Sequence, residues 1–180
     1  MDIPLLLRRI STGDRSAFAE LIRHFQRPLF GYLGRLGLPP GQAEEVAQET
    51  FLRVWQRWAD YDPSRAGFST WLFTVARNLA FNELDRGSAR HEQGMGEAMP
   101  DTACEQPQPA QALMHQQMRL RVQQALATLP FGDRSALALA YYEELDMAAI
   151  ARIEGCSVGA VKVRLHRAKQ RLRQLLENTP

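Results

Sequence analysis

The chain reads as all-α: two small helical domains joined by a flexible linker, the C-terminal one a four-helix unit containing a helix-turn-helix. Three observations predict this. Apolar residues recur at three- and four-residue spacing through most of the sequence, and no stretch alternates convincingly as a strand. Residues 87–112 interrupt that pattern with several Gly and Pro and with one basic residue against four acids, as a solvated tether does. Residues 146–176 read as a short helix, a tight turn around Gly155 and a long basic helix with a single apolar seam.

The first domain is assigned to residues 1–86. A helical pattern runs over 15–36 through Phe18, Leu21, Ile22, Phe25, Leu29, Tyr32, Leu33 and Leu36, with Pro28 expected to kink or restart it. Gly37, Pro39, Pro40 and Gly41 close that unit. The next helix covers about 42–58, with Glu44 and Glu45 near its N-terminus, where the helix dipole favours acids. Its expected apolar face is Val46, Ala47, Phe51, Leu52, Val54, Trp55 and Trp58, and its opposite side carries Glu45, Gln48, Glu49, Arg53 and Gln56. The segment YDPSRAGFSTW is rich in turn formers, and Ser69 or Thr70 offers a cap for a helix over about 70–85. That helix bears Arg77, Asn78, Asn82 and Arg86 beside aromatic residues. Such a set suits stacking on unpaired bases, while Trp71, Val75 and Leu79 share one stripe and read as core.

The second domain is assigned to residues 113–180. A helix over 113–129 ends at Pro130 and Gly132, and another opens at Gly132 or Asp133. Met147, Ile150 and Ala151 give the apolar side of the short helix, and Gly155 supplies the left-handed residue at the bend. Ser157 is the expected N-cap of the last helix, whose seam is Val158, Val161, Leu165, Ala168, Leu172 and Leu175 or Leu176. Around that seam stand Lys162, Arg164, Arg167, Lys169, Arg171 and Arg173, with His166 and no acid between Ser157 and Leu176. A basic amphipathic helix alone is commonly a solvated surface, but the turn and capped start before it point to a helix that enters a major groove.

Composition bounds the function. With 180 residues and 45% hydrophobic content, the chain has enough apolar material for packed cores. The net charge is only +2, but residues 113–180 hold ten basic residues against six acids, so basicity is concentrated at the C-terminal end. Cys104 and Cys156 belong to no pair or Cys/His cluster with metal-ligand spacing, so no metal or other cofactor is expected. His24, His91, His115 and His166 are scattered, and neither a phosphate-cradling glycine loop nor a nucleophile with a placed base is evident. The reading is of a non-enzymatic protein without a small-molecule substrate. The opening MDIPLLLRRI has its basic residues after the apolar run, the reverse of a secretory signal, and nothing later is long enough to span a bilayer, so a cytoplasmic protein is expected.

Three segments carry a family resemblance: AEEVAQETFLRVWQ at 43–56, DPSRAGFSTWLFTVARNLAFNELDR at 62–86, and LPFGDRSALALAYYEELDMAAIARIEGCSVGAVKVRLHRAKQRLRQLL at 129–176. In this order, across a short acidic linker, they resemble the extracytoplasmic-function sigma factors of bacterial RNA polymerase. The resemblance implies that Glu45, Gln48, Glu49, Arg53 and Gln56 grip the coiled-coil clamp of the β′ subunit, and that the β flap is a further contact of the chain on core polymerase. It implies that the loop from Asp60 to Gly67, with Asp62, Ser64 and Arg65, forms a pocket for a flipped −10 base, with Phe68, Arg77, Asn78 and Asn82 along the melted DNA. In the last helix Ser157, Gly159, Ala160, Lys162, Val163, Arg164 and Arg167 would read a duplex −35 element, with Arg164 and Lys162 the first candidates as donors. Many relatives carry a small hydroxyl residue where this chain has Val163, which can meet a thymine methyl but donates no hydrogen bond. A separate anti-sigma protein is the implied controller. The runner-up is a stand-alone helix-turn-helix regulator that never binds core polymerase. Flexible linkage admits both a packed and an extended arrangement of the halves.

Overall fold

The computed structural model describes residues 2–92 and 110–177, with side chains from 2 to 87, at 118 and from 120 to 177. Among the described residues eight α-helices follow in order: α1 (Ile3–Ser11), α2 (Arg15–Arg35), α3 (Pro40–Gln56), α4 (Phe68–Glu92), α5 (Ala110–Ala127), α6 (Phe131–Tyr141), α7 (Met147–Glu154) and α8 (Val158–Glu177). A single 3₁₀ turn, Trp58–Asp60, leads into the loop before α4. No strand occurs among the described residues.

α1 is a helix that apolar counting alone passes over. The Asp2 carboxylate accepts from the Leu5 amide at 3.0 Å, Pro4 lies in the first turn, where its missing N–H costs nothing, and Leu6 and Ile10 are buried against α2. Asp14 then caps α2 by accepting from the amides of Ser16 and Ala17 at 2.9 and 3.2 Å. Of the kink or restart expected at Pro28 the restart does not occur, and α2 runs through it. Phe25 before it and Leu29, Tyr32 and Leu33 after it are all buried, and this packing outweighs the one backbone bond that proline forfeits.

The buried side of α3 is Ala43, Val46, Ala47, Thr50, Phe51 and Val54. Leu52 and Trp55, expected on that face, are 49% and 39% exposed. Thr50 replaces them, and its hydroxyl donates to the Val46 carbonyl at 2.7 Å, which removes the cost of burying it. On α4 the core stripe is Phe68, Leu72, Ala76, Leu79 and Ala80, with Phe73 beside it. Leu79 is buried as expected, whereas Trp71 and Val75 are half-buried at the edge of the stripe. α4 also extends beyond Asp85 to Glu92, so the expected linker starts inside a helix and its last residues, 110–112, fall in α5. The stretch 93–109, including Cys104, lies outside the described residues.

The two halves pack against each other. α4 lies along α7 and α2 along α6, and the buried residues of both halves form one continuous cluster. Tyr32 and Phe73 from the first half and Leu139, Ile150 and Val161 from the second are among the largest fully buried side chains, each contributing roughly 1.5–3 kcal/mol of burial. Arg35 of α2 lies 3.5 Å over the Tyr142 ring, and Phe81 of α4 meets Phe131 edge-on at 5.3 Å.

Candidate nucleic-acid interface

The end of the chain is built as its local chemistry requires. Asp146 caps α7 by accepting from the Ala149 amide at 2.7 Å. Gly155, at φ +65°, then ends it in a left-handed turn: the Cys156 amide donates to the Ala151 carbonyl at 3.0 Å and the Gly155 amide to the Arg152 carbonyl at 3.3 Å. The Ser157 hydroxyl caps α8 by accepting from the Ala160 amide at 3.1 Å. Val161, Leu165 and Ala168 bury the inner side of α8, with Leu172 and Leu175 partly buried below them, while Val158 is exposed.

Helical geometry then fixes the outward side. Gly159, Val163, His166, Arg167 and Gln170 fall within one exposed arc opposite the buried seam, with Ala160 and Lys162 at its margins and Ser157 exposed just ahead. Val163 is 50% exposed at the centre of this arc. Arg164 is turned toward the seam instead, and its guanidinium donates to Glu154 at 2.7 Å. Two further cations are tied to their own domain: Arg171 donates to the mostly buried Asp133 at 2.8 Å, and the Lys169 ammonium lies 4.7 Å over Tyr141. Lys162, Arg167 and Arg173 are exposed. His166 and Gln170 were absent from the sequence-based set, although their spacing from Val163 and Arg167 would have included them.

The loop before α4 is held together by local hydrogen bonds. Asp62 accepts from the amide and hydroxyl of Ser64 at 2.9 and 2.6 Å, and these bonds, the hydroxyl's first, hold its carboxyl below the usual range. Arg65 is 86% exposed above it. Beneath the loop Tyr61 stacks on Trp71 at 5.1 Å, and Phe68 packs against Phe25, Trp58 and Tyr61. Phe68 is only 4% exposed, so it supports the loop from below. A cleft of about 1160 Å³ opens between α1 and this loop, lined by Leu7, Trp55, Trp58, Tyr61 and Phe68 among others. Asn78 and Asn82 are exposed on α4, while Arg77 is directed into the protein, where its Nε and Nη2 donate to the two oxygens of Glu154 at 3.0 and 3.1 Å.

A third surface lies on α3. Glu45, Gln48, Glu49, Arg53 and Gln56 share one side of the helix, with Arg53 bonded to Glu49 at 2.6 Å. At its centre stands Leu52, with Trp55 at its edge, so a polar ring encloses exposed apolar atoms in the manner of a protein-binding patch. The position of Leu52, three residues after Glu49 and four before Gln56, was the signal that it belongs here. Among the described residues no group of His, Cys, Asp and Glu is arranged to hold a metal ion, and no helix is long and apolar enough to cross a membrane.

Residues 21–90 match the family described as Sigma-70 region 2, and residues 119–172 match Sigma-70, region 4. The chain is 37% identical over 163 residues to the ECF RNA polymerase sigma factor RpoE of Cereibacter sphaeroides, covering 89% of this chain and 87% of that protein. It is 30% identical to the ECF RNA polymerase sigma factor SigK of Mycobacterium ulcerans, over 98% of this chain and 94% of the relative. Among solved structures, CnrH in complex with the cytosolic domain of CnrY superposes with a TM-score of 0.73 at 25% identity, covering 98% of this chain and 97% of the other. The sigma factor RpoE of Bartonella quintana, in complex with the anti-sigma factor NepR, shares the fold, with a TM-score of 0.70 at 22% identity over 91% of this chain and 98% of that one.

Proposed function

Since the chain belongs to the extracytoplasmic-function RNA polymerase sigma factors and is an alternative sigma factor that binds core polymerase and directs promoter recognition, we propose the following division of labour among its surfaces. Residues 1–86 act as the module for core polymerase and the −10 element, 87–112 as a tether, and 113–180 as the −35 module. The α3 patch of Glu45, Gln48, Glu49, Arg53 and Gln56, with Leu52 at its centre, grips the β′ clamp coiled coil. Asp62, Ser64 and Arg65 form the rim that receives an unpaired −10 base, Phe68 holds that rim from below, and Arg77, Asn78 and Asn82 follow the melted strand. Extruding one base costs a few kcal/mol, which a preformed rim offsets for the base it fits. Ser157, Gly159, Ala160, Lys162, Val163, Arg164 and Arg167 meet the −35 duplex, Val163 against a thymine methyl and the cations against base edges and phosphates.

The observation that carries this reading is the capped α8, with Val161, Leu165 and Ala168 buried and Lys162, Val163 and Arg167 presented together. The protein works in the cytoplasm by binding and positioning and changes no bond itself. A separate anti-sigma protein restrains it, a reading supported by CnrH, which was solved with the cytosolic domain of another protein. Run-off transcription with core polymerase on a panel of candidate promoters tests the assignment. Arg164→Ala lowers −35-dependent initiation and leaves core binding intact; lost core affinity with unchanged −35 dependence would refute it.

A further inference from the structure

We propose that Glu154 is an internal competitor for DNA: a buried carboxylate that draws one arginine from each half away from the promoter and so holds the free chain closed. The proposal rests on the assignment of Arg77 and Arg164 to the −10 and −35 surfaces. Three helices deliver donors to this one side chain, which is fully buried at the C-terminal end of α7, and a fourth supports it through Ser135. Arg77 of α4 binds both carboxylate oxygens at 3.0 and 3.1 Å, and Arg164 of α8 binds one of them at 2.7 Å. The Ser135 hydroxyl of α6 donates to the other at 2.5 Å. That hydroxyl has a single proton, so the buried phenol of Tyr32 on α2, 2.8 Å away, donates to Ser135 in turn. Burial pushes the Tyr32 phenol well above its usual range, which keeps this donor protonated.

An acid at a helix C-terminus opposes the helix dipole and, once buried, requires cationic partners. Here both partners are residues assigned to DNA. Guanidinium forks bind carboxylate and phosphate with the same geometry, so a DNA phosphate and Glu154 compete for the same donors. The neighbouring Arg152 of α7 adds a second restraint, because its guanidinium donates to the Arg65 carbonyl and fastens the loop assigned to the −10 base. One short helix thereby holds both DNA-reading surfaces.

The closed form also fails on length. Elements centred near −10 and −35 are separated by about 25 base pairs, or about 85 Å of B-form duplex at 3.4 Å per pair. A compact chain of 180 residues has a radius of gyration of about 16 Å and a diameter of about 40 Å. Engaging both elements therefore requires the Glu154 contacts to break.

The test compares the full-length chain with Glu154→Gln, which keeps the side-chain shape and removes the charge. Small-angle X-ray scattering reads the radius of gyration, and fluorescence anisotropy with a 30-base-pair duplex of random sequence at fixed salt reads DNA affinity. The expected result is a parent near the compact value, and a variant that is larger and binds the duplex about tenfold more tightly, since apparent affinity scales with the fraction of open chain. Unchanged size and affinity would overturn the proposal, and opening without tighter binding would overturn its inhibitory role. If circular dichroism shows that Glu154→Gln has lost helix, Tyr32→Phe decides instead: it leaves every charge in place and must shift both readouts the same way by a smaller factor, and no shift would overturn the proposal. The −35 assignment is tested separately by adding Arg164→Ala to Glu154→Gln, where the lock is already released and only the loss of a DNA contact can lower −35-dependent initiation.

Discussion

Replacing Gly155 by alanine isolates one physical term at the turn that aims the recognition helix. Gly155 has φ +65°, and a Cβ built there meets nothing within 4 Å, so no clash accompanies the substitution. What remains is the left-handed conformation, which costs an L-residue about 1–2 kcal/mol. The unfolded chain loses some freedom when glycine goes, which offsets about 0.4–1 kcal/mol. The net is roughly 1 kcal/mol of destabilisation, or about 2–4 °C in Tm for a chain of this size. Urea and thermal unfolding followed by circular dichroism measure it for the parent, Gly155→Ala and Gly155→Asn. Asparagine tolerates the left-handed region better and should fall between the other two. An alanine variant as stable as the parent would show that the turn relaxes to another conformation and that Gly155 does not fix the angle between α7 and α8.

Other consequences follow from individual contacts. Glu144 is a non-glycine residue at φ 51°, so Glu144→Gly should raise stability by up to about 1 kcal/mol in the same unfolding assay. Removing the Ser157 cap with Ser157→Ala should cost about 1 kcal/mol of stability and weaken binding to a −35 duplex. Leu52→Arg should lower core-polymerase affinity at least about tenfold in a pull-down or anisotropy titration without altering the unfolding midpoint, because an exposed leucine contributes little to the core. Asp14 is held down to about 2, first by the Ser16 hydroxyl, then by Arg9 and the Ala17 amide. Its folded value lies below the unfolded one, so its stabilisation of α2 is complete above about pH 5 and fades as pH falls through about 2; the stability gap between parent and Asp14→Asn should close over that range of an acid titration.

Much of this was legible because it is local. Caps such as Ser157, the left-handed Gly155 and the buried seam of α8 are set within a few residues, and the sequence carries them openly. α1 was missed because its apolar run is short, and the signals of its start, Asp2 and Pro4, concern capping and not periodicity. Pro28 argued for a kink or a restart of α2, and tertiary burial on both sides of it carries the helix through without a restart. Leu52 was misassigned by hydrophobicity when its register with Glu49 and Gln56 put it on the polar side. Glu154 was the least legible residue. Its partners lie 77 positions upstream at Arg77, 19 upstream at Ser135 and 10 downstream at Arg164, and nothing in the run ARIEG separates a buried acid from a solvated one. The same contacts explain why Arg164, a leading candidate by composition, is turned inward while Arg167 faces out.

The most direct measurement of the account is the distance between the halves as the chain passes from free protein to polymerase complex. Dyes at exposed Arg27 on α2 and Arg173 on α8, each replaced by cysteine in a chain whose own Cys104 and Cys156 are serine, report it by energy transfer. High transfer in the free chain and a large loss on adding core polymerase and promoter DNA are predicted, with Glu154→Gln low in transfer from the outset. Transfer that stays high in a complex actively making promoter-specific transcripts would contradict the account.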